Sequence, residues 1–242
     1  MIRLLTSVRD LDEAREAAAA GADFIDLKEP HAGALGALPA TRISAIVREL
    51  RMTYLGIPIS ATIGDLQPGD DAAVAYHAAV IGQCGVDYVK AGVSPGPGAR
   101  DTLTRMRALP WNMVPVLLCD DGLDLTLVEL ACELRFSAVM ADTARKTGSL
   151  FNGVSLAVLD SMVQIARAHE VMVGLAGALR LEHVSRLRAL GPDFAGFRSA
   201  LCNGPRTGKL EGARVRALLE QLTGVSESAA CHAMPINQGV AA

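Results

Sequence analysis

Aromatic side chains are scarce, 4% of 242 residues, and this removes the stacking platforms that single-stranded nucleic acids need. Charge of one sign is scarce as well. The net charge of −3 at pH 7 exerts no general pull on polyanions, so an anionic ligand must be held by local devices such as a few Lys or Arg side chains or helix N-termini. Uninterrupted apolar runs of spanning length are missing, which speaks against a membrane role. The five cysteines, Cys84, Cys119, Cys132, Cys202 and Cys231, form no CxxC pair and no zinc-like cluster. They read as reduced thiols of a cytoplasmic protein, and Met1-Ile2-Arg3-Leu4-Leu5 reads as a strand entry rather than a leader.

What is plentiful is Ala, Val, Leu and Gly, with half the residues hydrophobic. That mix suits buried parallel strands covered by Ala- and Leu-rich helices, and the length matches the roughly 250 residues of one α/β barrel. Short β-like runs fall near Ile2–Val8, Asp23–Lys28, Ile57–Ile63, Tyr88–Gly92, Met113–Cys119, Ala138–Asp142, Met172–Ala176 and Phe194–Ser199. Helical patterns alternate with them near Asp10–Ala20, Ala40–Arg51, Asp70–Cys84, Ala99–Ala108, Leu125–Leu134, Ser155–Ala168, Leu181–Leu190 and Gly212–Leu222. Strands alternating with helices imply parallel βαβ units. Eight such units predict a single (β/α)₈ barrel over residues 1–222, with 223–242, which lacks periodicity, as a flexible tail. A weak repeat supports this: Gly21-Ala22-Asp23-Phe24, Gly85-Val86-Asp87-Tyr88 and Gly191-Pro192-Asp193-Phe194 share the form Gly-x-Asp-aromatic. Each closes a helix and opens a strand, with Gly as the left-handed cap.

Parallel barrels carry their chemistry at the C-terminal ends of the strands. Asp26 and Lys28 finish the second strand, Lys90 the fourth and Asp142 the sixth, and Lys146 follows in the next loop. Strand side chains alternate faces, so Asp26 and Lys28 point into the barrel mouth if Ile25 and Leu27 face the helices. Charged groups do not belong in that layer for packing reasons. A lysine that is partly desolvated among other cations releases its proton more readily and attacks a carbonyl at neutral pH. The resulting iminium is an electron sink for forming and breaking carbon–carbon bonds. Aspartates beside it serve as acid/base groups or orient an ammonium. That chemistry requires no cofactor and no metal.

Phosphate has separate candidates. Gly177 and Ala178 follow the seventh strand, and Arg198 and Ser199 end the eighth, where many barrels bind phosphate through backbone N–H groups. Thr62, with Ser60 and Asp65 around the third strand's end, is a further substrate contact. Cys119 and Asp120 line the mouth in this reading, and Gly33-Ala34-Leu35-Gly36 shapes a cover beyond Lys28. Gly204-Pro205-Arg206-Thr207-Gly208-Lys209 has the wrong spacing and frame for a phosphate-binding P-loop. The five histidines share no partner. From the residues alone, three functions stand: Schiff-base carbon–carbon synthesis, an aldolase acting on another small sugar phosphate, and a non-catalytic sugar-phosphate-binding barrel.

The same motifs carry a family resemblance. Ile25-Asp26-Leu27-Lys28-Glu29-Pro30 with Gly33-Ala34-Leu35-Gly36 resembles the signature of (5-formylfuran-3-yl)methyl phosphate synthases. Similar too are Ser60-Ala61-Thr62-Ile63-Gly64-Asp65, Tyr88-Val89-Lys90-Ala91-Gly92, Met140-Ala141-Asp142-Thr143-Ala144-Arg145-Lys146 and Leu175-Ala176-Gly177. The motifs run in order to about residue 222. The resemblance implies a class I aldolase-like TIM barrel that joins two glyceraldehyde 3-phosphate molecules, releasing phosphate and water, to make a furan aldehyde for methanofuran-type cofactors. It implies Lys28 as the Schiff-base lysine and Lys90 as a proton-transferring residue. Asp26, Asp142 and Lys146 match the family's other active-site groups. The expected partners are a small phosphorylated aldehyde and further copies of the chain, with neither nucleic acid nor membrane. Two departures stand out: Glu29 where archaeal members commonly have Asn, and Gly-Pro-Arg-Thr-Gly after Cys202 in place of their glycine-rich segment.

Overall fold

The computed structural model describes residues 1–67, 69–145 and 148–224. Eight parallel strands follow in order: β1 (Arg3–Val8), β2 (Phe24–Leu27), β3 (Ile59–Thr62), β4 (Tyr88–Val93), β5 (Met113–Leu118), β6 (Ala138–Asp142), β7 (Met172–Leu175) and β8 (Phe194–Phe197). Each pairs with the next, and β8 returns to β1 to close the barrel. Outside them run α1 (Leu11–Ala19), α2 (Ala40–Thr53), α3 (Asp71–Gly82), α4 (Ala99–Ala108), α5 (Leu125–Glu133), α6 (Leu150–Gly153), α7 (Leu156–Ala168), α8 (Val184–Leu190) and α9 (Gly212–Thr223). Among the described residues no helix is long and apolar enough to cross a membrane.

The expected barrel is therefore present, with local differences. Helix α6 was not expected; Ser149 and Asn152 close a reciprocal capping box around it, a short-range signal with no apolar period behind it. The turn Leu181–His183 is 3₁₀, and α8 starts only at Val184. Of the expected tail, Thr223 completes α9 and Gly224 forms its left-handed cap; residues 225–242 lie outside the described residues. Asp10, Asp70, Asp124 and Ser155 begin their helices by accepting a backbone N–H of the first turn, each such cap contributing about 0.5–2 kcal/mol.

The Gly-x-Asp-aromatic repeat has a structural task at the opposite end from the mouth. Asp23 accepts the backbone N–H of Leu4 at 2.7 Å, Asp87 that of Ile59 at 2.6 Å, and Asp193 that of Val173 at 2.7 Å. Each carboxylate thus ties the strand it precedes to the strand before. Gly21, Gly85 and Gly191 all have positive φ. The sixth unit keeps the backbone geometry with different residues: Arg135 has φ 56°, and Ser137 bonds the side chain of Asn112.

Alternation along the strands separates two cores. Ile25, Leu27, Ala61, Val89, Val139 and Ala195 pack outward against the helices. Leu5, Phe24, Val116, Met140, Ala176 and Phe194 fill the barrel interior. The floor is closed by Arg3, whose guanidinium lies 4.9 Å from the Phe24 ring centroid. Gly174 leaves room for the Phe194 ring, which a Cβ there would meet at 2.1 Å.

Between β8 and α9 sits a buried ion pair. Arg198 meets both carboxylate oxygens of Glu13 in the first turn of α1, and donates to the carbonyls of Ser7, Arg206 and Gly208. All five of its N–H donors have acceptors within the chain. Arg198, expected to hold phosphate, has every donor engaged within the chain. Glu13 also accepts the N–H groups of Arg9 and Leu210, so the pair joins β1, α1 and the loop after β8. Arg198→Met or Glu13→Gln alone should cost about 3–5 kcal/mol, since each strands a buried charge. Urea unfolding should also show the double variant losing less than the sum of the two singles.

Candidate active site

Register brings a polar row together near the mouth. Ser7 on β1 pairs with Asp26 on β2, and Asp26 with Ser60 on β3. All three side chains point inward and are buried. Ser60 Oγ donates to Asp26 Oδ1 at 2.6 Å, and Ser7 Oγ to Oδ2 at 3.0 Å. Lys90 on β4 reaches across to Asp26 Oδ1 with Nζ at 2.9 Å. The row is a carboxylate held by two hydroxyls and one ammonium.

Lys28 lies one step nearer the mouth. It follows β2 directly, and its N–H still bonds the Val8 carbonyl, so its side chain keeps the inward direction of Asp26. Its Nζ stands 3.9 Å from Asp26 Oδ2 and 4.0 Å from Asp142 Oδ2. Neither distance is a hydrogen bond, and Nζ makes none to any described residue. Lys28 is 8% exposed, against 3% for Lys90 and 0% for Asp26, so among these three it has the most open route outward. Asp142 ends β6 with Oδ1 accepting the N–H of Thr143 at 2.7 Å. Asp26, Lys28, Lys90 and Asp142 are thus brought together. Lys146 lies outside the described residues.

The electrostatics separate the two lysines. Burial pushes the Asp26 carboxyl upward, but the charges of Lys90 and Lys28 and the hydrogen bonds from Ser60 and Lys90 together hold it below the ordinary aspartate value. Burial brings the Lys90 ammonium below the ordinary lysine range; the Lys28 charge acts in the same direction, and Asp26 only partly restores it. Asp26 is the fixed anion and Lys90 its partner, while Lys28 hangs between two carboxylates.

A loop covers this arrangement. Leu35, 1% exposed, joins the barrel's interior cluster, its backbone N–H donating to Asp65 Oδ1. Thr62 Oγ1 donates to the Gly36 carbonyl at 3.0 Å, as does the Glu29 N–H at 2.8 Å, and Arg206 donates to the Gly33 carbonyl. Thr62, Ser60 and Asp65, expected as substrate contacts, make bonds within the protein, Thr62 and Asp65 to the cover and Ser60 to Asp26. Beside Leu35 a cavity of about 230 Å³ opens, bordered by Asp65, Gly92, Ser94, Leu118 and Ala144. It adjoins the cover and does not include Lys28 itself.

Gly177 and Ala178 follow β7 with φ of 107° and 48°, and a Cβ on Gly177 would crowd Thr143 and Leu150 at 3.1–3.2 Å. Ser199 opens the short 3₁₀ turn after β8. Asp120 accepts the N–H groups of Ala144 and Arg145 and so shapes the loop beyond Asp142, while the Cys119 thiol bonds the Asp142 carbonyl. Among the described residues no three His, Cys, Asp or Glu side chains group as metal ligands. Sequence reasoning missed Ser7, Glu13 and Arg206. Ser7 left one trace, a polar residue on the same strand face as Leu5.

The lowered Asp26 carboxyl has a measurable sign. Its contribution to stability is complete above the unfolded value near pH ~4 and is lost as the pH falls through the lower folded value. Asp26→Asn removes that term. Between about pH 5 and about pH 2, the urea midpoint of the variant should fall less steeply than that of the unaltered protein.

Residues 4–219 match the model of the 4-HFC-P synthase family. A relative from Methylorubrum extorquens, provisionally named a (5-formylfuran-3-yl)methyl phosphate synthase, is 37% identical over 224 residues, covering 91% of each chain. The (5-formylfuran-3-yl)methyl phosphate synthase of Archaeoglobus fulgidus is 35% identical over 92% of this chain and 100% of its own. That of Methanosarcina mazei is 32% identical over 91% and 99%. Among solved structures, phosphoribosyl anthranilate isomerase from Thermus thermophilus superposes with TM-score 0.63 at 16% identity, covering 92% of this chain and 99% of that one. The Amycolatopsis orientalis BexX/CysO complex gives 0.64 at 18%, covering 100% and 95%. These last two likenesses speak to the fold alone. By the extent of the family match and the identity of its relatives, this chain belongs to the 4-HFC-P synthase family.

Proposed function

We propose that the chain joins two glyceraldehyde 3-phosphate molecules into (5-formylfuran-3-yl)methyl phosphate through an imine on Lys28, serving the synthesis of a methanofuran-type cofactor in the cytoplasm. The observation that carries this reading is the Lys28 Nζ, without a hydrogen bond among the described residues and flanked by Asp26 and Asp142 at 3.9 and 4.0 Å, while Lys90 occupies the bonding site on Asp26. Unprotonated Nζ attacks the aldehyde carbon, the carbinolamine loses water, and the iminium withdraws electrons from the neighbouring carbon. A carboxylate then accepts that carbon's proton, and the enamine adds to the second aldehyde. Cyclisation and elimination complete the balance: two triose phosphates give one furan phosphate, one inorganic phosphate and two waters. Lys90 relays protons by way of Asp26.

The retained phosphate has a natural seat at the ends of β7 and β8. The backbone N–H groups of Gly177 and Ala178 have no backbone acceptor among the described residues, and Ser199 and Ala200 open the 3₁₀ turn beside them. Neighbouring parallel strands bring them to one side of the mouth, and such groups bind phosphate well. Main-chain donors take the role that the sequence suggested for Arg198.

Borohydride added with glyceraldehyde 3-phosphate should fix a covalent adduct on Lys28, located by peptide mass spectrometry, and inorganic phosphate should accompany furan formation. Lys28→Met should lose essentially all turnover, and Lys90→Met about 10²–10⁴-fold. Furan synthesis without any adduct on Lys28 would falsify the imine. An adduct without phosphate release would point instead to a simple aldolase.

A further inference from the structure

The two hydroxyls on Asp26 determine which lysine it serves. Oδ1 receives Ser60 and Lys90, while Oδ2 receives Ser7 and faces Lys28 across 3.9 Å. A carboxylate turns easily about its last torsion. It would gain by closing on Lys28 to the 2.7–2.9 Å or so of a charge-assisted bond, a contact that favours the protonated amine. What opposes that turn is a pair of donors on the neighbouring strands, both locked in register with Asp26. Other charged groups facing this point are Asp142 from β6, with Arg206 from the loop after β8 influenced by its charge. The inward residues of β5, β7 and β8, such as Val116, Ala176 and Gly196, carry no charge.

We infer that Ser7 and Ser60 are positioning residues that hold the Asp26 carboxylate on Lys90 and off Lys28, keeping the Lys28 amine available to attack. This rests on the reading of Lys28 as the imine-forming group. Neither serine needs to touch substrate. Their effect is to divide two ammonium groups between one reacting role and one pairing role.

The test reads borohydride trapping of glyceraldehyde 3-phosphate on Lys28 as a function of pH, in Ser60→Ala, Ser7→Ala and the double variant. Releasing the carboxylate should move the trapping midpoint to higher pH by about one unit in the double variant, a roughly tenfold loss of adduct at neutral pH. Turnover should fall through kcat more than KM, and Ser60→Thr, which keeps the hydroxyl, should retain the original midpoint. In an Asp26→Asn background there is no carboxylate to release, so the serine substitutions should leave the midpoint where it is. Variants with unchanged circular dichroism and an unmoved midpoint would overturn the clamp while leaving the imine intact. So would an equal shift in the Asp26→Asn background. Absence of any adduct on Lys28 in the unaltered protein would overturn both readings. Should the double variant fail to fold, Ser60→Ala alone decides, because it removes the shorter of the two bonds.

Discussion

A buried carboxylate with nowhere to discard its charge organises the mouth of this barrel. Asp26 is fully enclosed, and an isolated charge in such a place would cost several kcal/mol. Two hydroxyls and one ammonium meet it from three other strands. Removing any of them leaves the others without their purpose. The ion pair with Lys90 is neutral as a unit, and this leaves a second lysine close by with only the looser contacts to Asp26 and Asp142. The reactive candidate exists because the other lysine is already spoken for.

Closure of the sheet makes this arrangement possible. With β8 returned to β1, the pleat sends alternate residues inward all round the ring, so a polar residue at the correct parity on any strand reaches the same small volume. The lower interior is lined by Leu5, Phe24, Val114 and Phe194, which puts apolar surface beneath the charged layer. Above it, Leu35 from the loop after β2 covers the mouth. The acid, the ammonium groups and the cover all come from connected segments of β1 to β4, with Asp142 approaching from the far side.

Side chains at the rim carry structure. Arg198, the obvious anion receptor in the sequence, is consumed by Glu13 and three carbonyls. An arginine saturated within the protein ties the loop after β8 to β1 and α1, so its positive charge acts on the fold.

The order of elements, the closed barrel and the inward pair Asp26 and Lys28 were legible in the amino-acid sequence, because helix and strand periods and strand parity are local properties of the chain. The αβ turns were legible too, down to the aspartates, although their hydrogen bonds to the preceding strand were not. Tertiary structure decided the rest. Which lysine pairs with Asp26, that Ser7 rather than a nearer residue completes its shell, and that Arg198 seeks Glu13 across most of the chain all depend on distances between strands far apart in sequence. Periodicity says which face a side chain takes; only closure of the ring says what it finds there.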